Sequence, residues 1–198
     1  MRTAPSFAQP ATLLERFLPK SGILWDGTLG LSFSLLLALS AQLHIPIPGS
    51  PVPITAQTFA LLLGSAILGR KKSLWGVGFY LLEGGLGLPV FSPLGTPGWL
   101  RFLGPTGGYL LGFAAAAYVV GSLAERGWDR AFPSCALMML LGNLCILGLG
   151  LLGLSRHVPA DQLLRLGLYP FLLGDLVKLS SAILALPSTW KFLGQNSS

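Results

Sequence analysis

Six apolar segments, divided by short stretches that hold nearly all of the cations, occupy most of this 198-residue chain. They run from about Ile23 to Leu43, Ile54 to Leu68, Leu74 to Val90, Thr106 to Ala124, Ser134 to Leu154 and Leu168 to Leu186. A helix needs about 20 apolar residues to cross a bilayer, with a working range near 17–25. Only 10% of the residues are charged, against about a quarter in soluble proteins, and the mean hydropathy is +0.68. The expected fold is therefore an all-α integral membrane protein of six transmembrane helices. A short N-terminal segment, residues 1–20, precedes one membrane domain over 21–198. The net charge of +6 marks topology rather than nucleic-acid binding, because the cations sit between apolar runs. The first twenty residues, with Pro5, Pro10, Glu15, Arg16, Pro19 and Lys20, contain no apolar core and no small-residue cleavage site, so no cleaved signal peptide is expected.

Orientation follows from lysine and arginine. One set of segment ends carries nine of them, Arg2, Arg16, Lys20, Arg70, Lys71, Lys72, Arg126, Arg130 and Lys191; the other carries three, Arg101, Arg156 and Arg165. The positive-inside rule then puts both termini, and a loop at Arg70-Lys71-Lys72, in the cytoplasm of a multi-pass cell-membrane protein. In this topology the Pro46, Pro48, Pro51 and Pro53 loop and the Val90–Pro105 connection lie outside. Prolines stiffen the first of these into an extended strap.

The chemistry-bearing residues gather toward that outer side. Asp175 and Lys178 lie three apart in the last apolar segment, on one helical face. Ionisable side chains inside a span are costly and persist where they face a partner charge, a cavity or a substrate. Glu83 lies in the outer half of a third segment broken by Gly76, Gly78, Gly84, Gly85 and Gly87, which suits a cavity wall. Gly104-Pro-Thr-Gly-Gly-Tyr opens the fourth segment, where Thr106, Gly107 and Tyr109 flank early amides that have no intrahelical partner. Arg101, just upstream, can fork onto a carboxylate. Gln57, Thr58 and Asn143 are further pocket or packing candidates. These eight, Asp175, Lys178, Glu83, Arg101, Tyr109, Thr106, Gly107 and Gln57, with Asn143, can border one external pocket. Gly30, Ser34 and Ala38 form a strip of small residues on the first helix, suited to close packing against an internal helix or a separate subunit.

Catalysis has little support. The chain has no zinc-protease, nucleophile-elbow or P-loop pattern and no acidic cluster for magnesium, so neither a metal nor a cofactor is expected. Cys135 and Cys145 fall in one apolar run without His or Cys neighbours at metal spacing and read as buried thiols. His44 and His157 read as surface residues near external loops.

Four blocks, Pro51-Val-Pro-Ile-Thr-Ala-Gln-Thr-Phe-Ala, Gly87-Leu-Pro-Val-Phe, Gly104-Pro-Thr-Gly-Gly-Tyr-Leu-Leu-Gly-Phe and Pro170-Phe-Leu-Leu-Gly-Asp-Leu-Val-Lys, occur in order. Together they resemble the signature blocks of the BioY family, the biotin-specific substrate-binding subunits of energy-coupling-factor (ECF) transporters. The resemblance implies six helices, biotin held near the external face, no enzymatic activity, and two kinds of partner: a transmembrane coupling protein and two ATPases. It carries the block's aspartate and lysine onto Asp175 and Lys178, and the arginine beside the glycine-rich block onto Arg101. The family's loop asparagine is missing from Ser92-Pro-Leu-Gly-Thr-Pro-Gly-Trp99, where Ser92 or Thr96 can substitute. The Gly30-Ser34-Ala38 strip resembles the docking face of such subunits. Biotin's chemistry fits: Asp175 can accept from a ureido N–H, Lys178 can donate to the ureido carbonyl or neutralise the aspartate, Arg101 can take the carboxylate, and Phe91, Trp99 and Tyr109 can cover the rings. The alternatives are a subunit for another small vitamin, or an integral membrane enzyme or assembly subunit.

Overall fold

The computed structural model describes residues 12–18 and 22–195. The rest of the N-terminal segment, including Arg2, Pro5, Pro10, Pro19 and Lys20, lies outside the described residues, as do residues 196–198. Six helices of twelve residues or more are found among the described residues: α2 (Ile23–Gln42), α3 (Gln57–Leu68), α4 (Arg70–Gly85), α6 (Gly107–Ala124), α7 (Phe132–Leu154) and α9 (Tyr169–Gln195). Three short helices, α1 (Leu13–Phe17), α5 (Leu100–Leu103) and α8 (Leu163–Gly167), complete the helical content. Helices α2, α6, α7 and the α8–α9 stretch Leu163–Gly194 are each long and apolar enough to cross a membrane, while α3 is a shorter apolar helix. The chain is a multi-pass membrane protein.

Several boundaries differ from the sequence expectation for identifiable reasons. Ile54 does not open a helix: Ile54–Thr55 (β2) pairs antiparallel with His44–Ile45 (β1), in the register His44 to Thr55 and Ile45 to Ile54. The proline-rich strap is thus closed into a hairpin at its base. Arg70, Lys71 and Lys72 form the first turn of α4 rather than a loop. A single left-handed residue, Gly69 (φ 78°), separates α3 from α4, and Glu125 at the end of α6 accepts a 2.7 Å bond from the Arg70 N–H that this turn leaves free. The last helix continues through Pro187 to Gln195.

The strip of small residues on α2 faces inward. Gly30, Ser34 and Ala38 are all buried, and a Cβ placed on Gly30 would lie 2.7 Å from the Trp75 Cβ of α4. Ser34 donates a 2.5 Å hydrogen bond to Glu83, also on α4. The expectation that this strip docks a separate subunit is therefore corrected: close backbone approach between α2 and α4 uses it up. The outward face of α2 consists of larger residues such as Leu31, Leu35 and Leu39.

The two ends of the bundle differ in charge. At one end Arg70, Lys71, Lys72, Arg126, Arg130 and Lys191 gather, and Lys71 pairs with the buried Asp26 at 2.8 Å. There the end of α9 is tied to the α6–α7 corner. Trp190 Nε1 donates to Asp129 Oδ2 at 2.6 Å, Arg130 lies 4.6 Å over the Trp190 ring, and Lys191 lies 4.6 Å over Phe132. The opposite end holds the hairpin, α5 and the α7–α8 turn, where His157 Nε2 sits 2.9 Å from Leu103 O.

Candidate functional site

A cavity of about 610 Å³ of atom-free space, part of it open to solvent, lies toward the hairpin end. It draws residues from every long helix except α2. Val52 and Thr55 come from the hairpin, Gln57 and Thr58 from α3, Tyr80 from α4, Thr106 from the N-cap of α6, and Tyr109, Leu110 and Phe113 from α6 itself. Ile146 and Leu147 of α7, Phe171, Asp175 and Lys178 of α9, and Phe91, Ser92 and Arg101 from the α4–α6 connection close the wall. Apolar and aromatic walls with a few convergent polar groups are the usual make-up of a small-molecule site.

One polar group is built around Asp175, which is only 5% exposed. Asp175 Oδ2 accepts from Asn143 Nδ2 at 3.1 Å, and Oδ1 lies 3.6 Å from Lys178 Nζ. Lys178 in turn donates to Thr55 O at 2.8 Å and to Thr58 Oγ1 at 3.0 Å. The i, i+3 spacing on α9 brings the two charges to one face, and α7 and the β2–α3 junction hold them from either side. A carboxylate offers about four acceptor positions, so protein donors leave part of Asp175 unfilled.

A second polar group is Arg101, 4% exposed at the head of α5. Its guanidinium donates to Ser92 O, Ser92 Oγ and Leu94 O and lies 5.7 Å over the Phe91 ring. Burial pushes its pKa below the ordinary arginine value. Gly95 (φ 110°) is required where the loop wraps the guanidinium, since a Cβ there would fall on Arg101 Nη1. Phe91 packs edge-on against Tyr80 and Phe102, at 5.2 and 5.9 Å, and fixes the loop to α4 and α5.

Asp175, Lys178, Arg101, Tyr109, Thr106, Phe91 and Gln57 all border the cavity, as does the loop residue Ser92. Asn143 stands behind Asp175 as its hydrogen-bond donor rather than on the wall. Tyr109 uses its hydroxyl to bond Gly167 O at 2.8 Å, leaving its ring to the cavity. Glu83 turns away to Ser34 on α2, Gly107 packs on Phe102, and Trp99 is 61% exposed and lies against Gly85; these three do not line the cavity. Thr96 is exposed and does not line it either. The sequence reading missed Tyr80, which is fully buried and bonded to Gln57 Nε2 at 2.6 Å. Its signal was available: Gly76, Tyr80 and Gly84 share one face of α4 at four-residue spacing.

Among the described residues no group of three or more His, Cys, Asp or Glu side chains gathers to hold a metal, and Cys135 and Cys145 are free thiols.

Comparison with known proteins gives one consistent result. The family described as "BioY family" matches residues 18–195. The biotin transporter BioY of Thermotoga maritima is 37% identical over 152 residues, which cover 77% of this chain and 88% of that protein. A probable biotin transporter BioY of Pyrococcus horikoshii is 35% identical with the same coverage. The crystal structure of the S-component for biotin from an ECF-type ABC transporter superposes with a TM-score of 0.73 at 25% identity, covering 85% of this chain and 92% of that one. A matched region that takes in all six long helices and both polar groups of the cavity makes this chain a member of the BioY family.

Proposed function

We propose that this protein captures biotin in the α9-side cavity from outside the cell and delivers it to the cytoplasm, as the substrate-binding subunit of an ECF transporter. The observation that carries the proposal is Asp175: a buried carboxylate on the cavity wall, oriented by Asn143 and neutralised by Lys178, with acceptor capacity left over. Biotin's ureido group carries two N–H donors that match it. Arg101 offers a cationic donor for the biotin carboxylate, and Phe91, Tyr109, Phe113 and Phe171 cover apolar rings. The names of the relatives and of the matching structure support the same ligand. Transport rather than catalysis is the role of this chain.

In this reading α2, α3, α4, α6, α7 and α9 all cross the membrane, with both termini and the cation-rich end in the cytoplasm. Short α3 packs against α6, α2 and α4, and α4 packs against α2 and α6. A transmembrane coupling protein and two ATPases supply the driving force. Calorimetric titration of the detergent-purified chain with biotin tests the ligand, and co-purification from native membranes tests the partners. Failure to bind biotin, with another vitamin bound in its place, would overturn the assignment.

A further inference from the structure

The Lys178 ammonium has three N–H groups. Three protein oxygens surround it: Thr55 O at 2.8 Å, Thr58 Oγ1 at 3.0 Å and Asp175 Oδ1 at 3.6 Å. Two of its hydrogens are thereby taken by Thr55 and Thr58, and the third faces Asp175 across 3.6 Å, so Lys178 mainly fixes and neutralises Asp175. An acceptor oxygen bound beside Asp175 is served best by a donor that is not already committed to two protein oxygens.

Such a donor sits next along α3. Gln57 is 5% exposed and Tyr80 is 0% exposed, and both line the cavity. One atom of the Gln57 amide lies 2.6 Å from the Tyr80 hydroxyl and the other 3.4 Å from Thr55 Oγ1. The amide carries two N–H groups and the phenol one O–H. With Nε2 toward the tyrosine, the phenol hydrogen finds no acceptor among the described residues. With the amide turned over, the phenol donates to Oε1, which suits a 2.6 Å separation better. One Nε2 hydrogen then points at Thr55 Oγ1, and neither Tyr80 nor Thr55 Oγ1 takes the other. Both orientations leave a donor hydrogen that neither the pair nor Thr55 Oγ1 matches, beside a cavity where unmatched polar groups are unfavourable until something fills them. The Tyr80 ring cannot swing away. It is held edge-on by Phe91 at 5.2 Å and stacked on Phe113 at 6.5 Å.

We propose that the Gln57–Tyr80 pair donates a hydrogen bond to the ureido carbonyl oxygen of bound biotin. The ureido group is then read from two sides: Asp175 accepts an N–H, and the pair supplies the hydrogen for the C=O. This inference rests on the biotin reading above. It makes Tyr80 a ligand-binding residue and moves the carbonyl contact away from Lys178.

Two conservative variants test it, Tyr80→Phe and Gln57→Met, each first checked by thermal melting. Each is expected to weaken biotin binding about tenfold, the size of one hydrogen bond. Infrared difference spectra with biotin labelled with 13C at the ureido carbonyl give the specific readout. The labelled stretch should move to higher frequency in the variants as its donor is lost. An unchanged frequency in both overturns the proposal even if affinity falls, because the loss is then one of shape. Unchanged affinity in both also overturns it, since the donor then serves only an ordered water. Should one variant fail to fold, the other decides alone; should both fail, the stretch in wild-type protein decides, a frequency no lower than in an aprotic solvent overturning the proposal. Asp175→Asn run beside them separates the two readings. If it too leaves biotin binding intact, the biotin site itself is wrong; if it weakens binding while the pair variants do not, only this inference falls.

Discussion

Replacing Lys178 with Met strands a buried carboxylate, and the structure sets the size of the effect. The Lys178 and Asp175 side chains are 20% and 6% exposed. Removing one partner of a buried pair costs about 3–5 kcal/mol. The bonds to Thr55 O and Thr58 Oγ1 are lost as well, at about 1 kcal/mol each. In Asp175→Asn/Lys178→Met the stranded charge disappears, and only the two-bond loss of about 2 kcal/mol remains. At about 2–4 °C per kcal/mol for a chain of this size, the double variant should melt roughly 10 °C above Lys178→Met. Binding should behave differently. Asp175→Asn exchanges a charge-assisted acceptor for a neutral amide, a loss of about 1.5–3 kcal/mol, or roughly ten- to a hundredfold in biotin affinity. The double variant should therefore recover stability yet remain a poor binder. Thermal melts and biotin titrations on the detergent-purified variants measure both. Wild-type affinity in the stable double variant would remove Asp175 and Lys178 from the site. A double variant melting no higher than Lys178→Met would refute the stranded-charge reasoning.

Gly30→Leu should lower the melting temperature by the equivalent of about 1–3 kcal/mol, because the α2–α4 seam has no room for it; an unchanged melt would return the strip to a docking role. In intact cells, Pro48→Cys and Gly98→Cys should react with a membrane-impermeant thiol reagent while Lys71→Cys does not, and external labelling of Lys71→Cys would invert the topology. Asp129 is buried, and burial pushes its carboxyl above the usual range even though the Trp190 N–H pulls the other way. The folded state then holds this proton to higher pH than the unfolded chain, so stability falls as pH rises from about 4 through the raised value and is level above it. Asp129→Asn keeps an acceptor for Trp190 and should abolish that fall in melts recorded from about pH 4 to 8.

The apolar runs made the helices legible, because length and hydropathy alone set where a chain can satisfy its backbone in lipid. The boundaries were harder. Ile54–Thr55 looks like the start of an apolar helix until His44–Ile45, ten residues upstream, supplies a strand partner. The last apolar segment ends at Leu186 in the sequence, yet the helix runs on through Pro187 to Gln195, and Trp190 anchors the turn beyond the proline. In the site, Asp175, Lys178 and Arg101 stood out because charges are rare in such segments. Tyr80 did not, because its meaning depends on Gln57, 23 residues away in sequence. Glu83 was conspicuous for the same reason as Asp175, yet its face of α4 meets Ser34 and not the cavity. Sequence spacing places a charge at a depth; only packing decides which way it turns.

The half-filled carboxylate of Asp175 also determines what the protein must refuse. A free fatty acid that partitions into the membrane has a carboxylate that could meet Arg101 and a chain that would suit the apolar wall. No fatty acid carries an N–H to offer Asp175. Such a molecule would seal the cavity over the acceptor positions that Asn143 and Lys178 leave unfilled, at a penalty of about 1–3 kcal/mol. A site built to hydrogen-bond one ligand rejects those that lack the matching group far more strongly than a greasy pocket can reject by size. On the proposed biotin reading, the charge at Asp175 disfavours a free fatty acid relative to a ligand that carries N–H groups.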